Sequence, residues 1–233
     1  MKIKEEKNKG THGFPCLVEG VVFDLDGTLM NTLDQIAGVA NSVLEDLAYA
    51  PLPQEDYKML LGNGSKALLE SLFDRRGIRD PKAREVFSRV YMDRYAQSEI
   101  GREAVYPGIY ELIEGLKERG IPLGVLTNKP HGISLKLLGQ VFPGIFKAIQ
   151  GQEEGLPRKP HPAGLEVLAQ AMGFSPGTCL YLGDTNTDMM TAKAYGAYTV
   201  GVLWGFRDQE ELEEAGADLV IAHPLDLFKY LDQ

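Results

Sequence analysis

The segment Gly20-Val-Val-Phe-Asp-Leu-Asp-Gly-Thr-Leu29 decides the fold. Its apolar start is typical of a buried strand, which ends abruptly at two carboxylates, a glycine and a threonine. Alternate residues of a strand point to the same side, so Asp24 and Asp26 can act on one ligand. Two neighbouring acids repel each other, and burial penalises both charges. The pair therefore indicates a bound cation or a chemical task.

Composition and charge describe an ordinary globular protein of 233 residues. The net charge of −9 leaves no broad basic surface for nucleic acid or an anionic membrane. No apolar stretch approaches the roughly 20 residues that span a bilayer, and no signal-peptide core is present. Cys16 and Cys179 are too few for a disulfide framework and lack metal-ligand spacing. We expect a cytoplasmic monomer or homodimer that binds neither nucleic acid nor membrane.

The chain after the first strand divides into a helical region and an alternating region. Apolar residues recur at helical spacing in residues 32–47, 54–61, 65–76 and 81–97. The later predicted strands are residues 122–127, 145–150, 178–183, 199–203 and 218–221, and helices are predicted at 107–119, 132–141, 162–172, 187–195 and 209–215. Alternating strands and helices predict an α/β fold, a doubly wound parallel sheet with helices on both faces.

These patterns predict three segments. Residues 1–15 form a polar, mobile N-terminal tail. Residues 16–31 and 102–233 form the α/β core domain, and residues 32–101 form a helical domain inserted after the first strand.

A second acidic strand end lies in Tyr181-Leu-Gly-Asp-Thr-Asn-Thr-Asp188. The spacing can place Asp184 and Asp188 one helical turn apart, facing one cavity. Helix capping is the competing interpretation of acids and threonines at this place. Ligands of open parallel sheets bind at the carboxyl ends of the strands, and carboxylates suit Mg²⁺. Two acidic strand ends in one chain therefore favour a metal site.

Two further residues are candidates for binding an anion. Lys159, in Arg158-Lys-Pro-His-Pro162, can neutralise carboxylates or phosphate, and a solvated lysine before a helix is the alternative. Thr127 ends a predicted strand and either caps the next helix or holds phosphate oxygens at the start of that helix.

Together these residues resemble the four motifs of the haloacid dehalogenase-like hydrolase superfamily, in particular its phosphatases. In chain order the motifs match residues 24–28, Thr127 in Leu-Thr-Asn-Lys129, Lys159, and the pair Asp184 and Asp188. The resemblance covers nearly the whole chain beyond the tail. It implies a Rossmann-like core in which the inserted helices form a cap domain.

The resemblance also implies a Mg²⁺-dependent phosphomonoesterase. Asp24 would be the nucleophile that forms an aspartyl-phosphate, and Asp26 the general acid and base. The metal ligands would be Asp24, the backbone carbonyl of Asp26, and Asp184. Asp188 would bind the metal through water or orient Lys159. The implied substrate contacts are Thr28, Thr127, Asn128, Lys159, Gly62 and Gly64.

The two glycines of the cap lie in Leu61-Gly-Asn-Gly-Ser-Lys-Ala67. The segment superficially matches a dinucleotide-binding loop, but a helical pattern precedes it where that motif requires a strand. Either it is a simple helix break, or its amides face the active site, as in the cap loop of phosphoglycolate phosphatases. Residues 106–108, 127–130 and 202–206 also resemble that subgroup, whereas Asn31 replaces an aspartate of many relatives.

The leading functional hypothesis is hydrolysis of a small phosphorylated metabolite, with 2-phosphoglycolate as the first candidate. A sugar phosphomutase resembling β-phosphoglucomutase, on the same scaffold, would return the phosphate to a sugar hydroxyl instead of water. A dehalogenase would need neither Asp26 nor a metal. From a different class, an aspartate-phosphorylated signalling or binding module would be smaller and would need no general acid.

Overall fold

The computed structural model describes residues 14–232, built around a parallel sheet of strand order β3-β2-β1-β4-β5-β6. The strands are β1 (Gly20–Phe23), β2 (Leu123–Pro130), β3 (Ala148–Gln152), β4 (Cys179–Gly183), β5 (Tyr198–Val202) and β6 (Leu219–Ile221). The strand order reverses between β1 and β4, which is where such sheets bind their ligands. The predicted doubly wound α/β fold is confirmed.

Residues 33–97, between β1 and β2, are helical and form most of a separate apolar cluster. Its helices are α1 (Leu33–Asp46), α2 (Gln54–Lys58), α3 (Gly64–Arg76) and α4 (Pro81–Gln97). Helix α1 buries Ile36, Ala40 and Val43, the helical spacing expected of an amphipathic helix, and Tyr57 and Leu72 belong to the same cluster. This separate cluster supports the division into core and cap that we propose.

Helices cover both faces of the sheet. Val21 and Phe23 of β1 join one apolar cluster and Val22 joins another, because alternate residues of a strand point to opposite faces. The covering helices are α5 (Ile109–Glu118), α6 (His131–Val141), α7 (Ala163–Met172), α8 (Asn186–Tyr195), α9 (Gln209–Glu214) and α10 (Phe228–Leu231). No helix within residues 14–232 combines the length and apolar character needed to cross a bilayer.

The core starts earlier in the chain than the sequence pattern indicates. Residues 1–13 of the predicted tail lie outside the described residues. Phe14, which we assigned to the tail, is buried, and its ring centroid lies 5.0 Å from that of Tyr198 and 6.0 Å from that of Tyr230. These partners are distant in sequence, so local composition gives no sign of the contact.

Candidate active site

Three buried carboxylates converge at the carboxyl ends of β1 and β4. Asp24, Asp184 and Asp188 each offer an oxygen, and these oxygens all lie within 4.8 Å of one another. The adjacency of β1 and β4 in the sheet brings the two acidic motifs together. The convergence expected from the strand ends is therefore present.

The Lys159 ammonium group lies among these carboxylates. Its Nζ is 2.8 Å from Asp24 Oδ1 and 2.7 Å from Asp188 Oδ1, and it donates to the Tyr181 hydroxyl at 3.1 Å. The lysine side chain is only 2% exposed. This burial excludes the alternative of a solvated lysine.

Burial and mutual repulsion shift the ionisation of this group. Burial, together with the charge of Asp188, raises the pKa of Asp24 to about 7 against the lowering effect of Lys159. Burial and the charges of Asp188 and Asp24 raise the pKa of Asp184 well above its ordinary value. Burial alone would lower the pKa of Lys159, but Asp188 and Asp24 raise it well above the ordinary value. The ammonium group of Lys159 thus adjoins a cluster of three buried carboxylates, those of Asp24, Asp184 and Asp188.

The surroundings of the three acids fit a divalent cation. Asp24 Oδ1 lies close to Lys159 but outside hydrogen-bonding geometry, and this buried oxygen has no hydrogen-bond partner among residues 14–232. Gly27 and Gly205 pack directly against Asp184, and a Cβ at either position would collide with its side chain. Hard divalent cations prefer carboxylate oxygens. The cluster can therefore hold a metal ion.

Asp184 is oriented by two donors. Its Oδ1 accepts from the Thr28 hydroxyl at 3.0 Å, and its Oδ2 accepts from the Phe206 backbone N–H at 2.9 Å. We expected Thr28 to contact substrate, but it is fully buried and its hydroxyl serves Asp184. The chain turns at Gly27, which has a φ of 92°, and the turn directs Thr28 towards the end of β4.

Each oxygen of Asp188 has a separate set of partners. Oδ1 accepts from Lys159 and from the Tyr181 hydroxyl, whereas Oδ2 accepts from the backbone N–H and the hydroxyl of Thr185 at 3.1 and 2.6 Å. Asp188 therefore takes part in a helix cap and also positions Lys159. The two interpretations of this motif are compatible because the carboxylate has two oxygens.

Asp26 reaches the same cavity as Asp24 but has different partners. Its Oδ1 lies 2.6 Å from Lys129 Nζ and accepts from the Thr32 hydroxyl at 2.7 Å. Its side chain is 16% exposed, so it is the most accessible of the four site acids. Sequence reasoning assigned no function to Lys129. The signal was its position two residues after Thr127 on the same strand.

The cavity lies between cap and core and has a volume of about 30 Å³. This is room for the centres of roughly two water molecules. Four of the predicted substrate contacts line it, namely Thr127, Asn128, Gly62 and Gly64. The Thr127 hydroxyl accepts from the Lys129 backbone N–H at 3.2 Å.

Asn128 bridges the cap loop and the Lys159 segment. Its Nδ2 donates to the carbonyls of Gly62 and Lys159 at 3.0 and 3.1 Å, and its Oδ1 accepts from the Lys159 N–H at 2.9 Å. A Cβ at Gly64 would lie 2.9 Å from the Asn128 carbonyl oxygen, so the loop approaches the core closely. Asn128, expected to contact substrate, thus directs its side-chain amide to the protein. The cap loop lies at the cavity and is more than a helix break.

The segment after β5 joins the Asp184 carboxylate to the cap. The Phe206 side chain packs in the apolar cluster of the cap while its backbone N–H donates to Asp184. Arg207 donates to the carbonyls of Lys58 and Leu61 at 2.6 and 3.1 Å. The Phe206 ring is therefore a core aromatic of the cap. The backbone contact could not be foreseen, since side-chain identity does not encode it.

The chain is similar in sequence to known proteins over most of its length. A family model described as haloacid dehalogenase-like hydrolase matches residues 21–202. The phosphoglycolate phosphatase of Pseudomonas putida is 31% identical over 219 residues, covering 90% of this chain and 80% of the relative. That of Rhodospirillum rubrum is 33% identical over 205 residues, covering 85% of each chain.

Solved structures show the same architecture. A predicted phosphoglycolate phosphatase from Haemophilus somnus superposes with a TM-score of 0.85 at 27% identity, covering 93% of this chain and 98% of that one. A β-phosphoglucomutase from Clostridium difficile superposes with a TM-score of 0.73, covering 93% and 96% of the two chains, but its 21% identity shows a shared fold alone.

Proposed function

The chain belongs to the haloacid dehalogenase-like hydrolase family and is a phosphatase, and we propose that it hydrolyses 2-phosphoglycolate to glycolate and phosphate with Mg²⁺. The observation that carries the proposal is that Asp24 and Asp26 reach one cavity with different partners, Lys159 and Lys129. The substrate is supported by the similarity to phosphoglycolate phosphatases. We also propose a cytoplasmic location.

Asp24 is the proposed nucleophile. One carboxylate oxygen attacks phosphorus, the bond from phosphorus to the ester oxygen breaks, and Asp24 carries the phosphoryl group. Bringing the carboxylate to a phosphate dianion costs about 4 kcal/mol per charge pair at 4 Å and an effective dielectric of 20. Lys159 offsets this repulsion from 2.8 Å. Mg²⁺, held by Asp24, Asp184 and the backbone carbonyl of Asp26, would supply further positive charge when bound.

Asp26 is the proposed general acid and base. It donates a proton to the leaving ester oxygen, which gives glycolate. It then accepts a proton from the water that attacks phosphorus, and the bond between phosphorus and Asp24 breaks to release phosphate. Lys129 and Thr32 hold Asp26 at the cavity. Thr127 lines the same cavity and would donate its hydroxyl to the transferring phosphoryl group.

A panel of phosphate esters tests the proposed function. We expect kcat/KM for 2-phosphoglycolate to exceed that for hexose phosphates, nucleotides and pyrophosphate by about 100-fold or more, because a small polar site rejects ligands that it cannot pair or contain. Activity should disappear on thorough chelation and return with Mg²⁺. Conversion of β-glucose 1-phosphate to glucose 6-phosphate without phosphate release would instead support a phosphomutase. Full activity after chelation would contradict the metal assignment.

Metal binding should stabilise the protein more strongly at about pH 8 than at about pH 5. The folded-state pKa of Asp24, about 7, exceeds the ordinary value of 3.8, so stability in the metal-free protein is lost as pH rises between these values. At about pH 5 a metal must displace the Asp24 proton, which weakens binding roughly 100-fold. Thermal unfolding with EDTA and with excess Mg²⁺ at both pH values measures the difference.

Two variants provide controls for the metal experiment. Asp184→Asn removes a proposed ligand and should abolish most of the Mg²⁺-dependent rise in Tm. Asp46→Asn changes an exposed acid of α1 and should retain the rise. An equal or larger rise at the lower pH would contradict the assignment of the metal to Asp24.

A further inference from the structure

Tyr91 of α4 lines the cavity and carries a buried hydroxyl. Its side chain is fully buried, its hydroxyl oxygen has no hydrogen-bond partner in the part of the chain that the structure describes, and the residue lines the cavity with Asp24 and Asp26. Burial raises the pKa of Tyr91 well above its ordinary value, so the hydroxyl remains a neutral donor. A buried polar group without a partner is costly to the fold. Its position in the wall indicates a ligand that supplies the acceptor.

Other contacts hold the Tyr91 ring in place. The ring stacks on that of Tyr95 with centroids 5.4 Å apart, one helical turn along α4. Tyr57, an equally buried tyrosine of the cap, donates its hydroxyl to Asn41 Oδ1 at 2.7 Å and does not line this cavity. Burial alone therefore does not leave a cap tyrosine unpaired.

Lys129 brings a positive charge to the same wall. Its Nζ lies 4.9 Å from the centroid of the Tyr95 ring on which Tyr91 stacks, and its side chain is 1% exposed. Within residues 14–232 its Nζ makes one hydrogen bond, to Asp26. An ammonium group has three N–H donors. Two donors therefore remain for a ligand.

We propose that Tyr91 and Lys129 form a carboxylate-binding subsite that selects phosphorylated hydroxy acids over phosphate monoesters that lack a carboxylate. This inference deepens, and rests on, the proposed function. A carboxylate accepts several hydrogen bonds and complements an ammonium group, so it pairs both donors. Asp24 and Lys159 contact the phosphoryl group of the same ligand. Tyr91 and Lys129 line the same cavity as Asp24, so a single small ligand can contact all three residues.

The subsite is tested by comparing two esters that differ at one group. Ethyl phosphate matches 2-phosphoglycolate but carries a methyl group in place of the carboxylate. We expect the wild-type protein to prefer 2-phosphoglycolate in kcat/KM, and Tyr91→Phe to reduce that preference about 10- to 100-fold, the usual effect of losing a hydrogen bond to a charged group. Tyr57→Phe, the matched control, should keep the wild-type preference.

Thermal unfolding without substrate separates this function from a structural one. Tyr91→Phe removes a hydroxyl that has no partner, so its Tm should equal or exceed that of the wild type. Tyr57→Phe breaks the bond to Asn41 and should lower Tm. A structural function for Tyr91 would instead lower the Tm of Tyr91→Phe.

The preferences of the wild type and of Tyr91→Phe distinguish a wrong subsite from a wrong substrate. If the wild type prefers 2-phosphoglycolate and Tyr91→Phe retains that preference, the subsite is overturned and the proposed substrate stands. The wild type could instead prefer another phosphorylated hydroxy acid, such as 2-phospholactate, over its analogue without the carboxylate. If Tyr91→Phe then loses this preference, the substrate is wrong and the subsite stands. No preference for any carboxylate-bearing ester overturns both.

Discussion

The Asp24→Asn protein is expected to fold normally and to release phosphate on the order of 10⁴- to 10⁶-fold more slowly than the wild type, the scale seen when a covalent nucleophile is removed. An amide cannot form the aspartyl-phosphate. The change also removes a charge from a crowded group of acids whose mutual repulsion and burial raise the pKa of Asp24 to about 7. At about pH 8 the metal-free variant should therefore be at least as stable as the wild type.

Single-turnover phosphate release and thermal unfolding measure these two effects. Asp24→Glu provides the matched control, since it keeps the charge but moves the carboxylate by one methylene. It should also lose most of its activity, because an in-line attack depends on the position of the nucleophile. Near-normal turnover by a folded Asp24→Asn protein would rule out Asp24 as the nucleophile.

The Lys159→Met protein is expected to lose both activity and stability. The substitution leaves Asp24 and Asp188 buried without the ammonium group that lies 2.8 and 2.7 Å from them. Removing one partner of a buried ion pair costs about 3–5 kcal/mol, which lowers Tm by roughly 10 °C for a chain of this size. Phosphate release should fall about 10³-fold, because attack on the dianion loses its fixed counter-charge.

A double variant separates the two functions of Lys159. In Lys159→Met with Asp188→Asn, one of the stranded charges is gone, so part of the stability should return while activity stays low. Lys117→Met, which changes an exposed lysine paired with Glu114, should alter stability by only about 0.5 kcal/mol or less. A stable Lys159→Met protein would show that the buried cluster does not depend on this ammonium group.

The acidic part of the site was predictable because its signals are local. Asp24 and Asp184 each follow a short apolar strand, and neighbouring parallel strands present their carboxyl ends at one edge of the sheet. The buried Lys159 was foreseen as a candidate only through its motif, because a lysine before a helix is ordinarily solvated. The structure adds the distances and the division of Asp188 between Thr185 and Lys159.

The cap side of the site was not predictable in the same way. Tyr91 has the spacing of a helical core residue, and nothing in that pattern indicates that it lines a cavity. The pairing of Asp26 with Lys129 depends on how β2 lies beside β1. The packing of Phe206 in the cap depends on the docking of segments far apart in the sequence. The spacing of apolar residues indicates which side chains are buried, whereas tertiary packing determines which groups they contact.

Direct observation of the covalent intermediate is the sharpest test of the account. The wild-type protein, mixed with Mg²⁺ and 2-phosphoglycolate and quenched within one turnover, can be digested and analysed by mass spectrometry. We predict a phosphoryl group on the Asp24 side chain that forms before phosphate is released and decays at the rate of turnover. A burst of phosphate release with no phosphorylated peptide, or a phosphoryl group on another residue, would contradict the central claim.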